Sequence, residues 1–153
     1  MDEVVWEEVK EKDLALVASI ALASKSHWDY SEDFLGKCKT LFEKEFSPSY
    51  LEKAKLFLVY KTGEPVAVVG LLLEGEPHID HFWILPKWIG KGFGKLLFSN
   101  IVAIAKEHGL SYLMVVSDLN AESFYQKMGF VRVGYESSPI QGKKLPVLKY
   151  DLV

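Results

Sequence analysis

The chain has 153 residues, of which 49% are hydrophobic and 25% are charged, so it can bury a core and does not resemble a disordered protein. Its 18 Lys and Arg against 21 Asp and Glu give a formal net charge of -3, which offers no electrostatic attraction to nucleic acid or an anionic membrane. We therefore expect one globular domain over residues 1–153, with neither kind of partner.

Signals for export, membrane insertion and metal binding are missing from the sequence. The acidic first ten residues do not resemble a signal peptide, and the longest apolar run, Val66–Leu73, is too short for a membrane helix of about 20 residues. The single cysteine, Cys38, cannot form an internal disulfide and has no accompanying ligand cluster. We expect a cytoplasmic protein without a metal site, in which Cys38 packs on the apolar side of a helix.

The first third of the chain predicts one strand and two helices. Alternation from Val4 to Val9 is typical of a strand, and Asp13 can cap a helix with apolar residues at helical spacing. Ser31 can begin a second helix whose first turn is acidic, and Pro48 is expected to end it.

The middle of the chain predicts three strands in a meander. Leu56–Tyr60 and Val66–Leu73 are apolar segments separated by the turn residues 61–65, which indicates a hairpin. A second turn at residues 74–77 leads into a third strand, His78–Leu85.

Helices and strands alternate in the rest of the chain. A helix from Phe93 to Gly109 precedes the strand Tyr112–Val116, the helix Asn120–Met128 and two final strands, Phe130–Tyr135 and Leu145–Leu152. Hairpins followed by helical connections predict an α/β fold with a mixed, mostly antiparallel central sheet of about seven strands flanked by about four helices.

The segment Pro86–Lys95 is the most informative part of the sequence, because it lies between an apolar strand and an amphipathic helix. It contains three glycines on alternate residues, Gly90, Gly92 and Gly94. Glycines here let backbone N–H groups approach an anion, to which the helix N-terminus adds further donors. Lys91 and Lys95 can neutralise additional charge, so the segment predicts a pyrophosphate site.

The glycines have two other possible interpretations. A tight turn without a ligand is the ordinary explanation of an isolated Gly-x-Gly, but the strand-loop-helix context favours phosphate. The dinucleotide pattern Gly-x-Gly-x-x-Gly is absent, and a Walker loop is excluded because Leu96 rather than Ser or Thr follows Lys95.

This segment resembles the first signature of the GNAT superfamily of acyl-CoA-dependent N-acetyltransferases, in which Arg/Gln-x-x-Gly-x-Gly/Ala opens a helix after a strand. Gly92 and Gly94 match the signature, whereas Ile89 stands where the family commonly has Arg or Gln. The resemblance implies acetyl-CoA as cofactor, with its thioester carbonyl polarised by backbone N–H groups of the preceding strand. The implied cofactor residues are Phe82, Trp83, Ile84, Ile89, Gly90, Lys91, Gly92, Phe93, Gly94, Lys95, Asn120, Phe124, Tyr125 and Lys127.

The segment Asp118–Phe130 resembles the second GNAT signature, Asn-x-x-Ala/Ser-x-x-Phe-Tyr-x-x-x-Gly-Phe. Physically, Asn120 is expected to cap the helix, Phe124 to pack inward and Gly129 to permit a left-handed exit. The resemblance gives Tyr125 the role of general acid toward the departing thiolate, since a phenol keeps its proton at neutral pH. The competing interpretation of Tyr125 is a half-buried packing residue.

A protonated acceptor amine must lose a proton, and three residues on the strand before the glycine loop could accept it. Asp80 is the first candidate, His81 the second because it resembles an acidic-His pair in some GNAT members, and His78 the third. Strand alternation predicts that His78 and Asp80 share a face with Phe82 and that His81 does not. A water chain to solvent could replace all three.

The acceptor site is expected in the segment 26–35, which resembles one GNAT subgroup. The predicted substrate-binding residues are His27, Trp28, Tyr30 and Phe34. Nearby carboxylates at Asp29, Glu32 and Asp33 could attract a cationic amine, although core packing and helix ends explain the same residues equally well. The loop Ser138–Pro146 also resembles that subgroup and could cover the acceptor or contact a second subunit.

These features predict an N-acetyltransferase that moves the acetyl group of acetyl-CoA directly to a primary amine of a small molecule, a peptide or a protein, as a monomer or a homodimer. A non-catalytic acyl-CoA-binding or sensing module on the same fold is the alternative. A protein that binds another nucleotide through the glycine loop is a third possibility, disfavoured because the motifs for it are absent.

Overall fold

The computed structural model describes residues 4–138 and 144–153, and so leaves most of the loop Ser138–Pro146 outside the described residues. Its strands and helices follow one another as β1 (Val4–Glu8), α1 (Leu14–Ser26), α2 (Glu32–Glu45), α3 (Pro48–Lys53), β2 (Lys55–Lys61), β3 (Glu64–Leu72), β4 (His78–Ile84), α4 (Phe93–Glu107), β5 (Tyr112–Val116), α5 (Glu122–Met128), β6 (Val131–Ser137) and β7 (Lys144–Asp151). In this part of the chain, no helix is both long and apolar enough to cross a membrane.

The seven strands form one mixed sheet, which confirms the predicted fold class. Their order is β1-β2-β3-β4-β5-β7-β6, and neighbours are antiparallel except β4 and β5, which are parallel. The parallel pair is joined at only two register positions, His78 with Met114 and Ile79 with Val115. Beyond these positions the two strands separate, and a cleft opens between their carboxyl ends.

Two apolar clusters hold the helices to opposite faces of the sheet. One contains Leu97 and Ile101 of α4 with Leu113 of β5, and the other contains Val17 of α1 and Phe42 of α2. Cys38 belongs to the second cluster and is buried, as its place on the apolar side of α2 predicts, and burial raises the pKa of its thiol.

Helix α3 was missed from the sequence because Pro48 was expected to stop a helix. Pro48 is instead the first residue of α3, a position that suits proline because the N–H it lacks would have no intrahelical partner there. Helix α2 has already ended at Glu45, and it begins as predicted with Ser31, whose hydroxyl accepts the N–H of Phe34 at 3.1 Å. Helix α3 brings Tyr50 into the core beside β4.

Candidate active site

The cleft between β4 and β5 has a volume of about 470 Å³ and brings together residues from both predicted motifs. The predicted site residues that line it are Trp28, Asp80, Phe82, Trp83, Ile84, Ile89, Gly90, Gly92, Gly94, Lys95, Asn120, Phe124 and Tyr125. The predicted residues outside its lining are His27, Tyr30, Phe34, His81, Lys91, Phe93 and Lys127. One concave surface thus connects the glycine loop, β4 and α5, as ligand sites between parallel strand ends commonly do.

The glycine loop lies at this cleft and contains backbone donors that could bind a ligand. Gly90 and Gly92 have φ values of 78° and 85°, a left-handed conformation that favours glycine, and Gly92 is the N-cap of α4. The N–H groups of Trp88 and Ile89 bond to carbonyls of the same turn, whereas no backbone acceptor is found in residues 4–138 and 144–153 for those of Gly90, Lys91 and Gly92. The first N–H groups of α4 add to this set because a helix leaves them without intrahelical partners.

Gly94 allows helices α4 and α5 to pack closely against each other. A Cβ atom at this position would lie 2.7 Å from Cε1 of Phe124, so the absence of a side chain lets α5 approach α4. The Phe124 ring in turn packs 5.7 Å from Phe82 and 5.3 Å from Tyr125, measured between ring centroids. The two sequence motifs are therefore in direct contact.

Three residues of the predicted cofactor set lie away from the cleft. Phe93 is buried and packs edge-on against Trp88 with ring centroids 5.3 Å apart, which makes it a core residue. The side chains of Lys91 and Lys127 are on exposed positions, whereas Lys95 lines the cleft. Lys95 is the lysine placed to meet an anion there.

Tyr125 is buried on α5, only 6% exposed, yet it lines the cleft. Its ring packs against Phe130 with centroids 5.2 Å apart, and no hydrogen-bond partner of its hydroxyl is found in the described part of the chain. Burial, and secondarily the charge of Asp118, raise the pKa of the Tyr125 phenol. The phenol therefore keeps its proton at neutral pH and has a donor available to a ligand.

A polar network joins the two sides of the cleft around Asp118, which the sequence analysis did not single out. Lys25 donates to its carboxylate, as do Tyr30 Oη at 3.1 Å and the backbone N–H of Asn120 at 2.9 Å. Burial acts to raise the pKa of Asp118, but the hydrogen bond and charge of Lys25 lower it below its ordinary value. The Asp-x-Asn pattern was a readable signal for the turn, whereas nothing in the sequence paired Lys25 with it.

Asn120 has a different role from the predicted helix cap. The N-cap of α5 is Ala121, and the Asn120 side-chain amide instead donates to Tyr30 Oη at 2.9 Å and to Asp118 Oδ1 at 3.1 Å. The prediction of a capping Asn was wrong because the turn after β5 delays the helix by one residue. Asn120 links the loop before α5 to the connection between α1 and α2.

The predicted acceptor residues are split between the network and the cleft wall. Tyr30 stacks on Phe34 with ring centroids 4.5 Å apart, and Lys25 Nζ lies 4.9 Å from the Tyr30 centroid. Burial and the charge of Asp118 raise the pKa of Tyr30 to about 12. Trp28 is 39% exposed on the cleft, and His27 is exposed and packs edge-on against it at 4.9 Å.

A β-bulge in β4 changes which side chains share a face. Gly70 of β3 pairs with His81 and the next residue, Leu71, pairs with Ile79, so Asp80 is an extra residue in the ladder. Ile79 consequently packs in the same core cluster as Phe82. The simple alternation predicted for His78, Asp80 and Phe82 was wrong at this bulge.

The bulge places Asp80 beside Tyr50, a residue that the sequence analysis did not identify. Tyr50 Oη donates to Asp80 Oδ2 at 2.6 Å, and the ring nitrogens Nε2 of His78 and His81 lie 3.5 and 3.7 Å from the carboxylate. Burial favours a higher pKa for Asp80, but the hydrogen bonds from His78 and Tyr50 lower it overall. The hydrogen bond with Asp80 raises the pKa of His78.

Comparison with known proteins agrees with this fold and these motifs. A family model described as an acetyltransferase (GNAT) domain matches residues 19–152. The peptidyl-lysine N-acetyltransferase YjaB of Salmonella typhimurium is 33% identical over 121 residues, which cover 78% of this chain and 80% of that protein. The chain therefore belongs to the GNAT family of acetyltransferases, and it is an acyltransferase.

Solved structures share the fold at lower sequence identity. A GCN5-related N-acetyltransferase from Rhodopseudomonas palustris superposes with a TM-score of 0.83 at 24% identity, covering 99% of this chain and 97% of that one. The paiA N-acetyltransferase from Thermoplasma acidophilum, solved in complex with coenzyme A, gives a TM-score of 0.78 at 16% identity and covers 97% and 99%. The predicted resemblance to GNAT proteins is confirmed.

Proposed function

We propose that the protein transfers the acetyl group of acetyl-CoA directly to a primary amine, and that the acceptor is the side-chain amino group of a lysine in a peptide or protein. The observation that carries the proposal is the single cleft that contains both the donor-rich glycine loop and the Tyr125 hydroxyl. The choice of acceptor rests on the 33% identity to a protein named as a peptidyl-lysine N-acetyltransferase.

The coenzyme would be held mainly by main-chain groups. Its pyrophosphate would accept hydrogen bonds from the loop Gly90–Gly92 and from the first turn of α4, aided by the charge of Lys95. Its pantetheine amides would pair with β4 beyond Ile79, where β5 has turned away and leaves that edge without a partner strand. The N–H groups of the same edge, over Phe82–Ile84, would polarise the thioester carbonyl.

The reaction would be a direct attack without an acyl-enzyme. The neutral amine would attack the thioester carbon, a C–N bond would form, and the C–S bond would break to give the CoA thiolate, while the proton that the new amide nitrogen loses passes to solvent. Tyr125 would donate a hydrogen bond to that thiolate as it leaves. Because the pKa of the phenol is raised above 10 while that of a simple thiol is about 8.5, hydrogen-bond donation is easier than complete proton transfer.

The acceptor enters as an ammonium ion and must lose a proton. The lowered pKa of Asp80 keeps it a carboxylate at neutral pH, so it would attract the ammonium group and relay its proton to solvent. Trp28 and Trp83 line the cleft and would contact the aliphatic part of the acceptor side chain.

Thiol release from acetyl-CoA tests the proposal. We expect release with lysine-containing peptides, together with peptide products heavier by one acetyl group at the lysine Nε atom, as read by mass spectrometry. Matched peptides with Arg in place of Lys are the acceptor control, and polyamines and free amino acids test small-molecule acceptors. Thermal stabilisation by acetyl-CoA without transfer to any primary amine would instead favour the non-catalytic binding module.

A further inference from the structure

His81 is buried next to Asp80 and Trp83 on β4. These two residues and Trp28 line the part of the cleft where we place the acceptor, which we call the acceptor wall. It is 5% exposed, and the rings of Phe46 and Tyr50 lie 4.5 and 5.8 Å from its own, centroid to centroid. Gly70 makes room for this arrangement, since a Cβ atom there would lie 3.2 Å from Cβ of His81 and 3.0 Å from Tyr50 Oη.

Two hydrogen bonds define the protonation of the imidazole. The indole Nε1–H of Trp83 lies 2.9 Å from His81 Nδ1, and because an indole nitrogen can only donate, Nδ1 must offer a lone pair. Nε2 then carries the proton and donates it to Glu45 Oε1 at 2.7 Å. His81 is thereby fixed as the neutral Nε2–H tautomer, with both ring nitrogens engaged.

A general base needs a lone pair within hydrogen-bond reach of the proton that it removes. The lone pair of His81 is occupied by Trp83, and its Nε2–H bond is directed to α2. The indole that His81 holds does reach the reaction side, because Trp83 lines the cleft together with Asp80. Asp80 is held in turn by Tyr50 at 2.6 Å.

We infer that His81 is a positioning residue, which bridges Trp83 to Glu45 and so fixes the acceptor wall of the cleft, and that it does not act as the base. The charged or titratable groups facing it are Glu45 from α2, Tyr50 from α3 and Asp80 from its own strand, while Lys25 of α1 lies 5.9 Å from the Trp83 ring. The kinetic consequence of this role rests on the proposed transfer to a lysine amine.

The substitution His81→Phe separates positioning from proton transfer. The phenyl ring keeps the aromatic packing but removes both hydrogen bonds, so we expect the KM for the acceptor to rise about tenfold through the loosened Trp83. We expect kcat to change less than about threefold, and the KM for acetyl-CoA and the acid limb of the pH profile to stay as in the wild type. A fall in kcat of about 10²–10⁴, with loss of that limb, would overturn the inference because it is the signature of a lost base.

Conservative variants provide a rescue test that also covers misfolding of His81→Phe. In His81→Asn the side-chain carbonyl can replace Nδ1 as the acceptor for Trp83, so we expect an acceptor KM closer to the wild type than in His81→Phe. Trp83→Phe removes the indole donor and should raise the acceptor KM. Adding His81→Phe to this variant should raise the acceptor KM little further, since both substitutions remove the same hydrogen bond. Additive effects of the two substitutions would contradict the bridge.

Nitrogen NMR of the wild-type imidazole tests the bridge without any activity. From the two hydrogen bonds we expect an unprotonated Nδ1 and a protonated Nε2, and a Trp83 indole resonance that shifts in His81→Phe. A protonated Nδ1 would overturn the inference even if transfer to lysine is observed. Conversely, absence of transfer with the expected tautomer present would contradict the proposed function and leave the bridge standing.

Discussion

At the residue scale, Tyr125 is almost completely buried, yet the residue lines the cleft. Most of its ring is fixed by Phe124 and Phe130, so the position of the hydroxyl oxygen is constrained by packing rather than by a hydrogen bond to protein. A donor held in this manner needs little reorganisation when charge develops nearby. Its contribution is therefore expected in kcat rather than in coenzyme affinity.

We predict that Tyr125→Phe lowers kcat by about 10²-fold and changes the Kd for acetyl-CoA by less than about twofold. The melting temperature should stay close to that of the wild type, because the removed hydroxyl has no bond to the described residues and the ring is retained. Steady-state kinetics and calorimetric titration measure these quantities. Unchanged kcat would refute a chemical role for Tyr125, and the neighbouring Phe130→Leu serves as a control for general loosening of the core.

The predictions from the sequence differ most from the structure at individual polar residues. A motif pointed to Tyr125, whereas nothing in the sequence pointed to Tyr50 and Glu45, because they reach β4 through tertiary packing that no local spacing encodes. The bulge at Asp80 was also invisible, since one extra residue in a ladder leaves no mark on a short apolar pattern. A motif marks residues that lie close together in the sequence, whereas contacts between distant segments could not be predicted.

At the scale of elements, the contact between α4 and α5 explains why a glycine stands inside a helix. Glycine normally costs a helix about 1 kcal/mol relative to alanine, so Gly94 gives up stability that another residue would supply. The compensating gain is the close approach of Phe124, which helps to shape the cleft. The same reasoning does not apply to Gly36 on α2, where a Cβ atom would meet nothing within 4 Å.

We predict opposite effects for two matched substitutions. Gly36→Ala should raise the free energy of unfolding by up to about 1 kcal/mol through helix propensity alone. Gly94→Ala should lower it by about 1–2 kcal/mol, because the strain of displacing Phe124 exceeds the same gain, and it should also raise the KM for acetyl-CoA. Chemical denaturation measures both, and stabilisation by Gly94→Ala would show that α5 can move aside without cost.

Element boundaries were predicted well where a capping or turn residue marks them. Ser31 and the turns between β2, β3 and β4 are local signals, and the structure places the elements accordingly. Pro48 is also a local signal, but proline is compatible both with the end of one helix and with the first turn of the next. The sequence alone did not distinguish these two uses.

At the scale of the whole molecule, two half-buried carboxylates link stability to acid pH. The folded-state pKa values of Asp80 and Asp118 lie below their ordinary value of 3.8, so both contribute stability that is present above about pH 4. That contribution is lost as the pH falls below about 4 and through the folded-state values. Acid should therefore loosen both walls of the cleft together.

We predict that Asp118→Asn is less stable than the wild type at pH 7 and loses less stability between pH 5 and pH 2. The reason is that the variant lacks a group that binds a proton more readily in the unfolded state than in the folded state. The control is Asp33→Asn, an exposed residue of α2 whose ion pair with Lys37 at 3.5 Å contributes little. Denaturant midpoints across this pH range give the comparison, and parallel curves for Asp118→Asn and the wild type would contradict it.

Within the described residues, β4 and β5 pair at two register positions, beyond which the two halves of the sheet, β1 to β4 and β5 to β7, lie apart along the cleft. A coenzyme bound along β4 would occupy the position of a paired strand there and would connect the two halves of the sheet. Amide hydrogen exchange at Phe82–Ile84 should then slow when acetyl-CoA is added, while exchange in β6 at the far edge stays the same. Equally slowed exchange throughout the sheet would indicate global stabilisation without coenzyme bound between β4 and β5.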